Sequence, residues 1–204
     1  VMGFHTLLQK KRISFGSFQA NIINSQIFKQ LEDEQKQATR WLALELGEPE
    51  GCKDLGVRNA TLAMMPPTKS TAELAGGVSE GINPDPAMVF VKETAAGDVP
   101  HLVPELEKLI ISKGLDVEEC IRDMLSRKGS CQHVNWLTPE EKLVFRSAFE
   151  IDMIDHLRLC SQRGRHIDQG QSINLFFTSN DSPEYIGRVY RFAYEDPYIL
   201  TLYY

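Results

Sequence analysis

The chain has 204 residues, 42% of them apolar and 25% charged, with a formal net charge of −6 at pH 7. That length suits one domain with an ordinary core. Acidic and basic residues are interleaved without a basic stripe, which gives no support for direct nucleic-acid binding, and apolar runs of only a few residues are too short to span a membrane.

The chain opens at Val1-Met2-Gly3-Phe4, in mid-element and without a signal peptide, which predicts a fragment or a processed piece. Residues 2 to 11 read as a short helix with Phe4, Leu7 and Leu8 on one face. Residues 14 to 17, with Gly16, are a break. Phe18, Ile22, Ile23, Ile27, Leu31, Ala38, Trp41, Leu42 and Leu46 then recur at helical spacing. They predict one long amphipathic helix stopped by Gly47 and Pro49, with its charges solvated and Trp41 in the core.

Leu62 to Met65 is an apolar run of strand length. Pro66 and Pro67 end it, because neither can donate a ladder hydrogen bond. Thr68, Lys69, Ser70 and Thr71 follow, and STAELAG reads as a short helix closed by Gly76-Gly77. A strand, a tight polar loop and a helix start suit an anion. The first helical N–H groups lack internal partners, the dipole adds positive charge, and hydroxyls and Lys69 stand beside them. A phosphate fits such a place. The same composition equally fits a plain N-cap at Ser70 or Thr71. There is no Walker A pattern.

Met88 to Val91 predicts a second strand, and residues 101 to 113 and 116 to 127 two helices joined at Gly114. Thr138-Pro139-Glu140-Glu141 is a capping box with proline at the first helical position. It predicts a long helix to about Gln162, with Phe145, Phe149, Met153 and Leu157 along one side. Asp168 to Ser172 reads either as a helix-to-strand connection whose side chains satisfy backbone groups or as a direct substrate contact. Ile173 to Phe177 is a third strand, Ser182-Pro183-Glu184 caps another helix, and Tyr198 to Tyr204 is a fourth strand. Alternation of strands and helices predicts an α/β architecture with a largely parallel sheet, in one region over residues 1–204.

Common chemistries are missing. There is no GxSxG elbow. His5, His101, His133, His156 and His166 form no HExxH, and Asp152 and Asp155 face solvent on a helix. Cys52, Cys120, Cys131 and Cys160 form no CxxC and no zinc spacing, so no metal site is expected. They read as reduced thiols of a cytoplasmic protein. Tyr203 and Tyr204, adjacent on a strand, point to opposite faces, as ordinary β packing also allows.

Four collinear segments carry a family resemblance. RNATL followed by PPTKSTAELAGGVSEGINP resembles the substrate-diphosphate loop of the ribonucleotide reductase large (catalytic) subunit, with its pattern P-T-x-S-T-A-x-[IL]-x-G. VMGFHTLLQKKRISF is similar to that family's G-x-x-G-x-x-x-x-L region, RGRHIDQGQSINLFF to its RG-x-[FY]-IDQSQS-[LM]-N stretch, and LTLYY to its KT-x-YY ending.

The resemblance implies the second half of a ten-stranded α/β barrel, incomplete without its N-terminal half. It implies that Pro67, Thr68, Lys69, Ser70 and Thr71 bind the diphosphate of a ribonucleoside diphosphate, which is reduced at the 2′ carbon by a radical route. It also implies that Tyr203 and Tyr204 relay a radical from a small, metal-containing subunit to a barrel cysteine. No cofactor would be bound by this chain itself.

Two positions and one segment depart from the family: Gly170 replaces serine or alanine, Leu200 replaces lysine, and AYEDPYI, with Pro197, replaces a glycine-containing approach. The family's Asn-x-Cys-x-Glu finger loop and its CxxC tail are absent, so the chain alone should be inactive. The expected partners are the N-terminal half of the large subunit, from a split gene or an intact one, and the small radical-generating subunit. Two other readings stay open: a fragment of the adenosylcobalamin-dependent class II reductase, and a non-catalytic interaction remnant.

Overall fold

Helix ends follow local chemistry. A computed structural model of the chain describes residues 1–94 and 97–202. Helix α1 spans Phe4–Lys10 and α2 spans Phe18–Leu46. Ser17 caps α2, its Oγ accepting from Ala20 N at 3.2 Å, and Gly47 ends it at φ 78°, where a side chain would be strained. A short helix α3, Lys69–Leu74, precedes the strands β1, Val89–Thr94, and β2, Gly97–Leu102. Helices α4 (Pro104–Ser112), α5 (Val117–Ser126), α6 (Pro139–Val144), α7 (Met153–Gly164) and α8 (Pro183–Glu195) complete the order.

Two apolar cores form. The first joins Phe4 and Leu8 of α1, Phe28 of α2, Met153 and Leu157 of α7, and Val189 of α8. The second lies against the β1–β2 hairpin and gathers Val89, Leu106, Ile110, Met124 and Phe145. All four cysteines are free and buried. Among the described residues no helix is long and apolar enough to cross a membrane.

Among the described residues, the expected largely parallel sheet is reduced to an antiparallel hairpin, Val89 opposite Leu102, and one isolated parallel bridge, Met65 with Gln171. The reason lies in where the backbone donors go. Leu62 N and Ala63 N donate to Asp168, and Pro66 and Pro67 have no N–H to give. In the segment expected as the third strand, Asn174 N donates to Asn83 Oδ1 and Phe176 N lies 3.3 Å from Met153 Sδ. Residues 198–202 likewise form no strand.

Other expectations shift as well. The helix expected from residue 101 begins at Pro104, because His101 and Leu102 pair with β1. The long helix expected from Thr138 to Gln162 is broken. Ser147 starts a second capping box with Glu150, and Asp152 caps α7 by accepting from Ile154 N at 2.9 Å. Phe145 therefore enters the second core and Met153 and Leu157 the first, while Phe149 is half exposed against Phe176. Trp41 is not a core residue; it is 59% exposed, since the 29-residue α2 outruns the helices that cover it.

Candidate functional site

The polar loop is held from both sides. Upstream, the Asp168 carboxylate accepts from Leu62 N at 2.7 Å and Ala63 N at 2.9 Å. Met65 N donates to Gly170 O at 3.1 Å, and Ser172 N to Met65 O at 2.8 Å. Downstream, Thr68 Oγ1 accepts from Gly81 N at 2.9 Å. Gly81 has φ 52°, and a Cβ there would sit 3.0 Å from Pro66 O, so glycine lets the two loop backbones meet.

Thr68 occupies the left-handed region, φ 56° and ψ 28°, and stands at the N-cap of α3 without a side-chain cap bond. A β-branched residue adopts that conformation only when its surroundings enforce it. The N-cap is thus Thr68 and not Ser70 or Thr71, which lie inside the first turn of α3. The first intrahelical bond runs from Ala72 N to Thr68 O at 2.8 Å. The N–H groups of Lys69, Ser70 and Thr71 consequently have no acceptor within the helix. The side chains of Lys69, Ser70 and Thr71 are exposed, as is Pro67. The hydroxyl expected of Thr68 as a ligand is engaged with Gly81 as an acceptor, which makes it also a fastener of the loop.

A cleft of about 300 Å³ runs beside α3, between Lys69 and Glu73 on one side and Phe90 and His101 of the hairpin on the other. Asn83 and Asn174 also line it. Asn83 is buried and joins the two segments there: its Nδ2 donates to Ser172 O at 2.9 Å and its Oδ1 accepts from Asn174 N at 3.1 Å. Of the predicted loop residues, Lys69 alone lines this cleft.

The chain's last described residues pass close to the same connection. Thr201 Oγ1 donates to Gln171 O at 2.9 Å, and a Cβ at Gly170 would lie 2.9 Å from Thr201 Oγ1. Glycine at 170, where the family has serine or alanine, thus admits a close approach of residues 199–202. A Cβ at Gly164 would collide with the Tyr198 carbonyl. Tyr203 and Tyr204 lie outside the described residues.

The first core holds a buried polar group that sequence reading missed. Arg163 is fully buried, its guanidinium 4.9 Å from the Phe4 ring centroid and 5.4 Å from that of Phe28. Its Nε donates to Asn24 Oδ1 at 2.9 Å and its Nη1 lies 3.5 Å from Cys160 Sγ. Burial lowers the Arg163 pKa, pushes the Cys160 thiol up to about 11 and holds the His156 imidazole down at about 3. A thiol so held stays protonated and unreactive. The only outward sign of this arrangement was the Arg163-Gly164 pair of the RG motif.

Known proteins are similar to the chain over most or all of its length. The family model described as ribonucleotide reductase, barrel domain, matches residues 48–204. A Frog virus 3 (isolate Goorha) protein described as a ribonucleoside-diphosphate reductase large subunit is 36% identical over 95% of this chain and 34% of its own length. The ribonucleoside-diphosphate reductase large subunit of Invertebrate iridescent virus 3 is 30% identical, over 100% of this chain and 32% of its own. Among solved structures, the Actinobacillus ureae class Id ribonucleotide reductase alpha subunit superposes with a TM-score of 0.90 at 38% identity, covering 100% of this chain and 37% of that one. The chain spans about a third of the length of these relatives. By a family match over most of its residues, the chain belongs to the ribonucleotide reductase barrel-domain family.

Proposed function

We propose that the chain is the portion of a class I ribonucleoside-diphosphate reductase large subunit that holds the substrate diphosphate and carries the last tyrosines of the radical relay. The observation that carries this reading is the clamped loop at the start of α3, with three helical N–H groups lacking an internal acceptor beside Lys69, Ser70 and Thr71. Family membership supplies the guest for it, a ribonucleoside diphosphate. Pro67 to Thr71 bind and orient the phosphates. Tyr203 and Tyr204 exchange an electron and a proton with the relay from the small, metal-containing subunit. The cysteines that do the chemistry belong to the N-terminal half of the barrel and to a redox-active tail. The chain by itself reduces nothing, and adding those parts and the small subunit yields turnover.

One reconstitution tests both roles. In the completed enzyme, Ser70→Ala/Thr71→Ala weakens diphosphate binding by about tenfold or more per lost bond, as hydrogen bonds to a charged group cost about 1.5–3 kcal/mol each. Tyr203→Phe and Tyr204→Phe keep binding intact and abolish turnover. Normal diphosphate affinity in the first variant refutes the loop assignment, and normal turnover in a Phe variant removes that tyrosine from the relay.

A further inference from the structure

We propose that Asp168 is a positioning residue for the diphosphate loop, acting through the backbone of Leu62 and Ala63; this rests on the loop reading above. Its two oxygens take separate partners, Oδ2 from Leu62 N at 2.7 Å and Oδ1 from Ala63 N at 2.9 Å. A carboxylate gripping two successive N–H groups is fixed in orientation as well as distance, and each bond is charge-assisted. The bonds join residues more than a hundred positions apart, so no local turn dictates them.

From Ala63 the chain has only two residues before the prolines. Met65, between them, is pinned on both sides by Gly170 and Ser172. Residues 168–172 thereby act as a template for 62–65, and Pro66-Pro67 transmits that placement with little freedom, because proline fixes φ. Thr68 arrives in its left-handed conformation already fastened to Gly81. Binding geometry at a phosphate demands placement to within a fraction of an ångström. Asp168 itself is exposed and touches the loop only through this backbone.

The test uses a complete large subunit carrying this chain's residues, with a ribonucleoside diphosphate and the matching phosphate-free ribonucleoside as probes. Asp168→Asn keeps the size but sets an amide NH2 against one backbone N–H. The diphosphate Kd is expected to rise about tenfold, the scale of one charged hydrogen bond, while the ribonucleoside Kd stays unchanged. Amide exchange at Leu62 and Ala63 should accelerate while that of α7 does not. If Asp168→Asn does not fold, Asp168→Glu decides: its longer side chain displaces residues 62–65 and weakens the diphosphate selectively, by a smaller factor. Equal weakening of both probes, or none, overturns the inference, as does unchanged exchange at Leu62 and Ala63. If Ser70→Ala/Thr71→Ala binds the diphosphate normally, the loop reading fails and this inference falls with it. If that variant binds weakly while the Asp168 variants bind normally, only the Asp168 inference fails.

Discussion

The core that packs α1, α2, α7 and α8 draws its residues from Phe4 to Ile199, whereas the core against the β1–β2 hairpin draws from Met88 to Phe145. The second closes over a short stretch of chain, through contacts whose loop-closure cost is small. The first joins distant segments and buries Asn24, His156, Arg163 and Gln171 among its apolar side chains. Buried polar groups are costly unless paired; here each side chain has a partner at one of its atoms, while Arg163 Nη2 and Gln171 Oε1 have none among the described residues. Gln171 Nε2 donates to Cys160 O at 2.8 Å, and Asn24 Nδ2 to Gln162 Oε1 at 2.7 Å. The candidate loop and the connection that holds it both rest on the first core. The comparison teaches that the loop sits on the region whose geometry is specified by polar pairing at long range, while the locally closed region supplies the hairpin side of the cleft beside it.

The largest expected effect tests whether the two regions are separable. Phe145 is fully buried in the second core. Phe145→Ala should destabilise by about 3–5 kcal/mol through lost burial and a residual cavity, read by denaturant unfolding. Amide exchange should rise across residues 88–145 and stay slow in α7 and α8. Equal loss of protection in α7 would show one cooperative unit and dissolve the distinction.

A titration sharpens it from the other side. His156 lies in the first core with its pKa lowered, mainly by burial, from 6.5 to about 3. The unfolded chain binds the proton near pH 6.5 and the folded chain does not until about pH 3. The unfolded state therefore holds more protons between those values, and stability falls as the pH drops through that window. The slope for this one group is about 1.4 kcal/mol per pH unit. His156→Gln should flatten the profile between pH 6 and 4 relative to the parent chain; an unchanged profile would mean that the imidazole is not held neutral.

The smallest effect concerns a helix end in the second region. Thr138 and Glu141 form a reciprocal capping box, with Glu141 N to Thr138 Oγ1 at 3.2 Å and Thr138 N to Glu141 Oε2 at 2.9 Å. Thr138→Ala should cost about 1 kcal/mol in thermal or denaturant unfolding. Binding at the loop should not change. A change there would couple α6 to the site and contradict the separation.

The sequence by itself determined what short-range chemistry controls. Ser17, Gly47, Thr138 and Ser182 mark helix ends because a cap is satisfied within one turn. The prolines and hydroxyls of residues 66–71 announce a loop leading into a helix for the same reason, and the motif segments were enough for the family. Only the tertiary structure decided which donors the strand-like runs would use. Leu62 to Met65 and Ile173 to Phe177 have strand composition, yet a ladder requires a neighbour, and Asp168, Asn83 and Met153 accept their N–H groups instead. The helix expected across residues 139–162 breaks because Ser147 and Asp152 find cap partners that the apolar spacing does not reveal. Trp41 is exposed and Arg163 is buried, against the ordinary preference of each residue. Where α2 runs past its neighbours, and where Asn24 and two phenylalanine rings close around a guanidinium, are outcomes of packing between segments more than a hundred residues apart.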